Sequence, residues 1–296
     1  MSLLTATQGT PNRVYALLRL LREAGEALPA DAIAGWLVPR YTIGREEAIR
    51  PKEALEQTIS AARSLCLVSD GSPVSSTVDV PDTIEEFADL AHRQLCALPE
   101  SDANAVVLKV YAWFVIRAER DPASLHRPDR EALVAEIDGA FPRSEGEDAK
   151  TFNPTKFKPW ARWVSFLGMG SDLPNAPFFP YPAERVLREL RAIAIERGFD
   201  CDLDFREVQQ ELSKRISYLD GGEIFLELSQ RIGLRTRTLS RVLSSALRDL
   251  HQEGQIQLTA LGDSADRVPF APDPVDQTGL PGANRIRICG EVHRAI

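Results

Sequence analysis

Cysteine and histidine are scarce in this chain, with four of each among 296 residues. Cys66, Cys96, Cys201 and Cys289 stand far apart, as do His92, His126, His251 and His293, and none belongs to a pair at metal-ligand spacing. A zinc site would have to gather ligands from four distant segments, so we expect no metal. Reduced, mostly buried thiols are expected in place of a disulfide framework. Long apolar runs are missing too, and none approaches the length needed to cross a bilayer. The opening MSLLTATQGTPNR is mixed and polar, without the basic segment and apolar core of a secretory signal. These absences lead us to expect a soluble, cytoplasmic protein with no membrane partner.

Catalytic signatures are absent as well. There is no GxxxxGK[ST] loop, and Gly168-Met169-Gly170 lacks both a third glycine and a preceding strand. GxSxG, HExxH and zinc-finger spacings do not occur. Asp204, Glu211 and Lys214 have the residue types of a metal-dependent nuclease, but they share the wet face of one amphipathic helix. Glu145, Glu147 and Lys150 have the same types and lie in an acidic loop. We therefore expect no catalytic residue and no cofactor, and place an enzyme third among the possible readings.

What remains is ordinary globular material, 44% hydrophobic and 26% charged, long enough for two or three small domains. The net charge of −8 argues against a general nucleic-acid coat. Residues 10–70 and 204–290 are close to neutral, so the negative excess falls largely between them. An acidic middle would confine phosphate contact to local basic faces and suits docking onto a basic protein partner.

The most informative stretch runs from Ile224 to Leu258. Phe225, Leu226, Leu228 and Ile232 form the stripe of a short helix, and Gly233 supplies a turn. A longer helix follows, capped by Thr236 or Thr238, with Leu239, Val242, Leu243, Ala246, Leu247 and Leu250 at spacings of three and four. It ends at Gly254, and Gln255 to Thr259 then alternate as a half-buried strand. This is the order of a helix-turn-helix with a wing. The window from Ser229 to Arg248 holds five arginines and no acidic residue. Arg235, Arg237 and Arg241 are expected at the start of the second helix, where they would reach phosphate or guanine. Thr236, Thr238, Ser240, Ser244 and Ser245 add short hydroxyls for phosphate or base-edge contacts. Arg285-Ile286-Arg287-Ile288 reads as a second strand beyond a long Gly/Pro/Asp-rich wing, and Arg285 and Arg287 could touch the DNA backbone. The alternative is a winged helix that contacts only protein.

Elsewhere the pattern is helical. Residues 10–80 give three helices, opened by Thr10 and Pro11, and a short hairpin around Asp70-Gly71, which is the winged-helix order again. Residues 81–142 form a helical region in which Tyr111, Trp113 and Phe114 read as core. Residues 151–199 are rich in aromatics: Pro159 fits the first turn of a helix with Trp160, Trp163, Val164 and Leu167 inside. Phe178 and Phe179 read as a short strand, and Pro182 opens a helix burying Val186, Leu187, Leu190, Ile193 and Ile195. Residues 204–290 form the C-terminal module. The expected fold is mainly α with small β-hairpins, as tandem winged helix-turn-helix domains joined by a helical middle region.

TPNRVYALLRLLREAG near the start, the central FNPTKFKPWARWVSFLGMG with FFPYPAERVLREL, and a helix-turn-helix near the end resemble the DpdG-like family. The resemblance implies an accessory protein encoded with bacterial 7-deazapurine DNA-modification and restriction clusters. It also implies further protein subunits acting alongside it, and it transfers no catalytic residues. With double-stranded DNA as the second expected partner, the resulting expectation is a non-enzymatic DNA-binding accessory protein. The alternative is a protein–protein adaptor.

Overall fold

The computed structural model describes residues 2–37, 51–121, 129–141, 152–173, 176–235, 237–262, 266–272 and 279–290. Among these the chain is mainly helical, with small antiparallel sheets. It divides into two units, Met1–Val107 with Glu131–Leu167, and Leu108–Arg130 with Gly168–Ile296. No helix among the described residues is long and apolar enough to cross a membrane.

In the first unit the Thr10 hydroxyl accepts from the Arg13 amide, and Pro11 starts α1 (Pro11–Ala24). The helix buries Val14, Leu17, Leu18 and Leu21, then stops at Gly25, whose φ of 67° is a left-handed cap. α2 (Ala30–Leu37) and α3 (Pro51–Ser64) pack with it. Among the described residues, the hairpin expected after α3 is reduced to isolated bridges, Val68 to Ser76 and Leu28 to Val74. The chain leaving it is tied back to α1: Arg22 donates to the Val80 carbonyl at 3.0 Å and to the Asp82 carboxylate at 2.7 Å. α4 (Ile84–Cys96) begins with a reciprocal capping box between Thr83 and Glu86. α5 (Val106–Arg120) belongs to the second unit but for its first two residues, and α6 (Arg130–Ala140) belongs to the first but for its first residue.

α7 (Pro154–Phe166) starts earlier than expected. Asn153 accepts from the Lys156 amide at 3.1 Å, and Pro154 takes the first position, where a missing N–H costs nothing. That start outcompetes one at Pro159, which lies inside the helix. The indoles of Trp160 and Trp163 are buried as expected, and each N–H finds a carbonyl, Val107 at 3.0 Å and Gly9 at 3.2 Å. The acidic loop expected at 143–150 lies outside the described residues. The cysteines depart from expectation: Cys66 is exposed, and Cys96, Cys201 and Cys289 are only partly covered.

The second unit includes an antiparallel pair, β1 (Gly170–Leu173) and β2 (Ala176–Pro180). Phe178 is buried edge-on against Phe114 and Tyr111, whereas Phe179 faces outward. α8 (Ala183–Arg197) buries Val186, Leu190 and Ile193. Ile195 was expected among them but is 76% exposed, because two residues beyond Ile193 is roughly the opposite side of a helix. β3 (Asp202–Asp204) follows, and Asp204 caps α9 (Phe205–Arg215) by accepting from the Arg206 and Glu207 amides. Next come α10 (Glu223–Ile232), α11 (Arg241–Gln252), β4 (Ile256–Thr259), the two-residue pair β5 (Val268–Pro269) and β6 (Gly282–Ala283), and β7 (Arg285–Ile288). β7 lies between β3 and β4, antiparallel to both, with Ile256, Leu258, Ile286 and Ile288 facing inward.

Glu211, one of the nuclease-like trio, bridges Arg197 at 2.9 Å and Arg215 at 3.3 Å, and the same two arginines reach Glu207 and Glu196. This network joins α8 to α9. Because the groups are partly solvated, Glu211→Ala should destabilise the protein by only about 0.5–1 kcal/mol. Urea unfolding should show that loss at low salt and a smaller one at high salt.

Candidate nucleic-acid interface

Where a helix-turn-helix was expected, at 224–258, the chain forms the helices α10 and α11, followed by β4. Gly222 must be glycine, since a Cβ there would lie 2.3 Å from the Ser217 carbonyl oxygen. α10 buries Phe225 and Leu228, with Leu226 turned outward. Gly233 closes the helix in the left-handed region at φ 74°, and its N–H returns to Ser229 and Gln230.

α11 begins later than either threonine would have set it. Ser240 is the N-cap, and its Oγ accepts from the Leu243 amide at 3.2 Å and donates to Asp220 Oδ2 at 2.6 Å. The Ser240 amide donates to the other Asp220 oxygen. Burial pushes the Asp220 carboxyl up to about 6, opposed by those hydrogen bonds and reinforced by the nearby Glu119 charge. Glu119, from α5, accepts from the Arg241 amide at 2.8 Å. Two carboxylates therefore sit at the positive end of α11. Nothing in the sequence Asp220-Gly221-Gly222 shows that the aspartate would hold the cap of a helix twenty residues later. Glu119 carried no signal at all.

This start redistributes the expected site. Arg235 and Arg237 lie in the connection before α11, not in its first turn, and both are exposed. Thr238 is half-buried, and Thr236 lies outside the described residues. Ser240 and Ser244 were expected to face a ligand. They face inward instead, 1% and 0% exposed: Ser240 is consumed by the cap, and Ser244 Oγ accepts from the Ala271 amide at 3.0 Å. Ser245 is half-buried. Arg241 is exposed and reaches the Pro272 carbonyl at 3.4 Å, whereas Arg248 is buried. On β7, Arg287 is held by Asp202 at 2.9 Å, and Arg285, two residues away on the same sheet face, is exposed. Arg231 pairs with Glu227 at 2.5 Å. Arg235, Arg237 and Arg285 thus remain exposed, with no carboxylate at ion-pair distance among the described residues.

Among the described residues, no group of three or more His, Cys, Asp or Glu side chains could hold a metal ion. Lys214 lies in the last turn of α9, and Asp204 is engaged as that helix's cap. The molecule is therefore a mainly helical protein with small antiparallel sheets, and among the described residues its second unit ends on the strands β4 to β7. A family model described as DpdG-like matches residues 1–264, and the chain belongs to that family. No curated protein and no solved structure matches it.

The buried carboxyl has a measurable consequence. Its folded-state value, about 6, lies above its ordinary 3.8, so its contribution to stability is fully present below about pH 3.8 and is lost as pH rises through about 6. The unfolding free energy of the wild type minus that of Asp220→Asn should fall, on the order of 3 kcal/mol, between pH 4 and pH 7. A flat difference in urea titrations across that range would show that Asp220 ionises as an ordinary carboxylate.

Proposed function

We propose that the chain is a non-enzymatic accessory protein of a bacterial DNA modification–restriction system, and that its C-terminal unit contacts duplex DNA through the phosphate backbone. The observation carrying this reading is the exposure of Arg235 and Arg237 in the turn between α10 and α11, with no acidic partner among the described residues. Arg285 on β7 extends the same chemistry to the strand that a wing would use. The order β3, three helices, then β4 and β7 in one sheet, with β7 between β3 and β4, supports treating residues 204–290 with β3 as a winged helix. Residues 10–80, with three helices and two bridges, would be a structural counterpart.

On this reading contact is local and indifferent to sequence. Phosphates are neutralised by arginines on a loop, while the hydroxyls of Ser240 and Ser244, expected at base edges, are turned inward. The overall charge of −8 confines the interaction to this face and leaves the acidic remainder for other subunits of the system.

A second reading, an adaptor whose winged helices meet only protein, is favoured by the Glu119 carboxylate on the first amide of α11. An occupied helix N-terminus has less to offer a phosphate. Anisotropy titrations of a labelled duplex across a salt series separate the two. The double variant Arg235→Ala/Arg237→Ala should bind more weakly and lower the log–log salt slope by about 2, near 0.9 for each phosphate no longer neutralised. Equal affinity and slope in wild type and variant would reject this face as the DNA-binding surface, and co-purification with a partner subunit alone would then favour the adaptor.

A further inference from the structure

β4 and β7 are joined by residues 260–284, and side chains close the neck of that connection. The Asn284 carboxamide holds both backbone groups of Leu261, accepting from its amide at 2.9 Å and donating to its carbonyl at 3.1 Å. Inside that clamp β5 and β6 pair, Val268 with Ala283 and Pro269 with Gly282. Gly282 has to be glycine, since a Cβ there would collide with the Val268 carbonyl oxygen.

The same close approach sets Arg267. A Cβ on Gly282 would also lie 3.1 Å from Arg267 Cγ, so the stem of the arginine packs against the Gly282 backbone. At the far end of the side chain Nη2 donates to the Gly262 carbonyl at 3.2 Å. Nε is buried without a hydrogen-bond partner, and the residue as a whole is half-buried. Among the described residues no carboxylate lies at ion-pair distance of Arg267, its exposed neighbour Asp266 included. Arg267 stands one residue from the Val268–Ala283 rung and Arg285 two, so both arginines sit at the neck.

We propose that Arg267 is a further phosphodiester-binding residue of the C-terminal unit, gripping the DNA backbone beside Arg285. The proposal rests on the reading above, that this unit meets duplex DNA. A staple for the neck requires one donor, and the Gly262 carbonyl takes only one of the several N–H groups that a guanidinium carries. The other donors of the two terminal nitrogens belong to a planar fork whose geometry matches phosphate oxygens. A guanidinium without a carboxylate beside it also attracts an anion more strongly than one already paired. Gly282 and the Gly262 carbonyl order the side chain beforehand, so less of its freedom is lost on binding. Arg235 and Arg237 then take one part of the DNA backbone, and Arg267 with Arg285 takes another.

Anisotropy titrations of a labelled generic duplex with the full chain, across a salt series, test this. Arg267→Gln keeps a donor for the Gly262 carbonyl and removes the charge. It should bind about fivefold more weakly and lower the log–log salt slope by about 0.9, the share of one phosphate. Arg267→Lys should keep the wild-type slope, because that phosphate is still neutralised. Should the glutamine variant unfold at lower urea than wild type, Arg267→Met, which keeps the stem over Gly282, takes its place. A wild-type slope in the neutral variant overturns the proposal, and a loss of affinity at that constant slope marks Arg267 as a staple of the neck alone. A slope still lowered by Arg235→Ala/Arg237→Ala would then leave the reading of those two arginines standing. If wild type binds no duplex at low salt, that reading fails and the proposal falls with it.

Discussion

Asp220 has to be buried for α11 to begin where it does. Its two oxygens take the amide and the hydroxyl of Ser240, and that hydroxyl in turn takes the Leu243 amide. An ionised carboxylate without water is costly, and these hydrogen bonds with the helix dipole offset the cost only in part, which is why its carboxyl is pushed up to about 6. What the arrangement secures is register. With the helix started at Arg241, Val242, Leu243, Ala246, Leu247 and Leu250 face the core, and Arg241, Ser244 and Arg248 line a separate stripe. The loop carrying Arg235 and Arg237 is then fixed at both ends, by the left-handed Gly233 and by the Ser240 cap.

Periodicity and capping chemistry made much of the helical framework legible. Thr10-Pro11, Gly25, Gly233 and the alternating strands at 256–259 and 285–288 act within a few residues, and the sequence displays such signals directly. The failures are of two physical kinds. Where two local starts competed, as between Pro159 and Asn153-Pro154, or between the threonines and Ser240, the better-capped one prevailed. For Ser240 that cap depends on Asp220, a partner twenty residues away. Where a side chain's fate depended on a distant segment, composition could not show it: Ser244 looked like a ligand-facing hydroxyl until Ala271 reached it.

The arginines show the same limit more sharply. Five of them in a window without acid looked like one positive surface, yet they divide by environment. Arg231 is neutralised one turn back by Glu227, Arg248 is folded under residues 270–271, and Arg241 lends its amide to Glu119. Arg235 and Arg237 keep the exposure the sequence promised, with no carboxylate beside them among the described residues. Local absence of carboxylates along the chain did not mean absence in space, because Glu119 and Asp220 arrive from other elements.

That division bears on how an acidic protein could touch DNA at all. A large positive face would bind any polyanion and would be resisted by the rest of a molecule carrying −8. On the proposed reading, two exposed arginines between α10 and α11 would give a weak, salt-sensitive contact that the surrounding charge can veto wherever DNA is not already close. Strength would have to come from groups presented only after that first encounter, or from neighbouring subunits that raise the local DNA concentration.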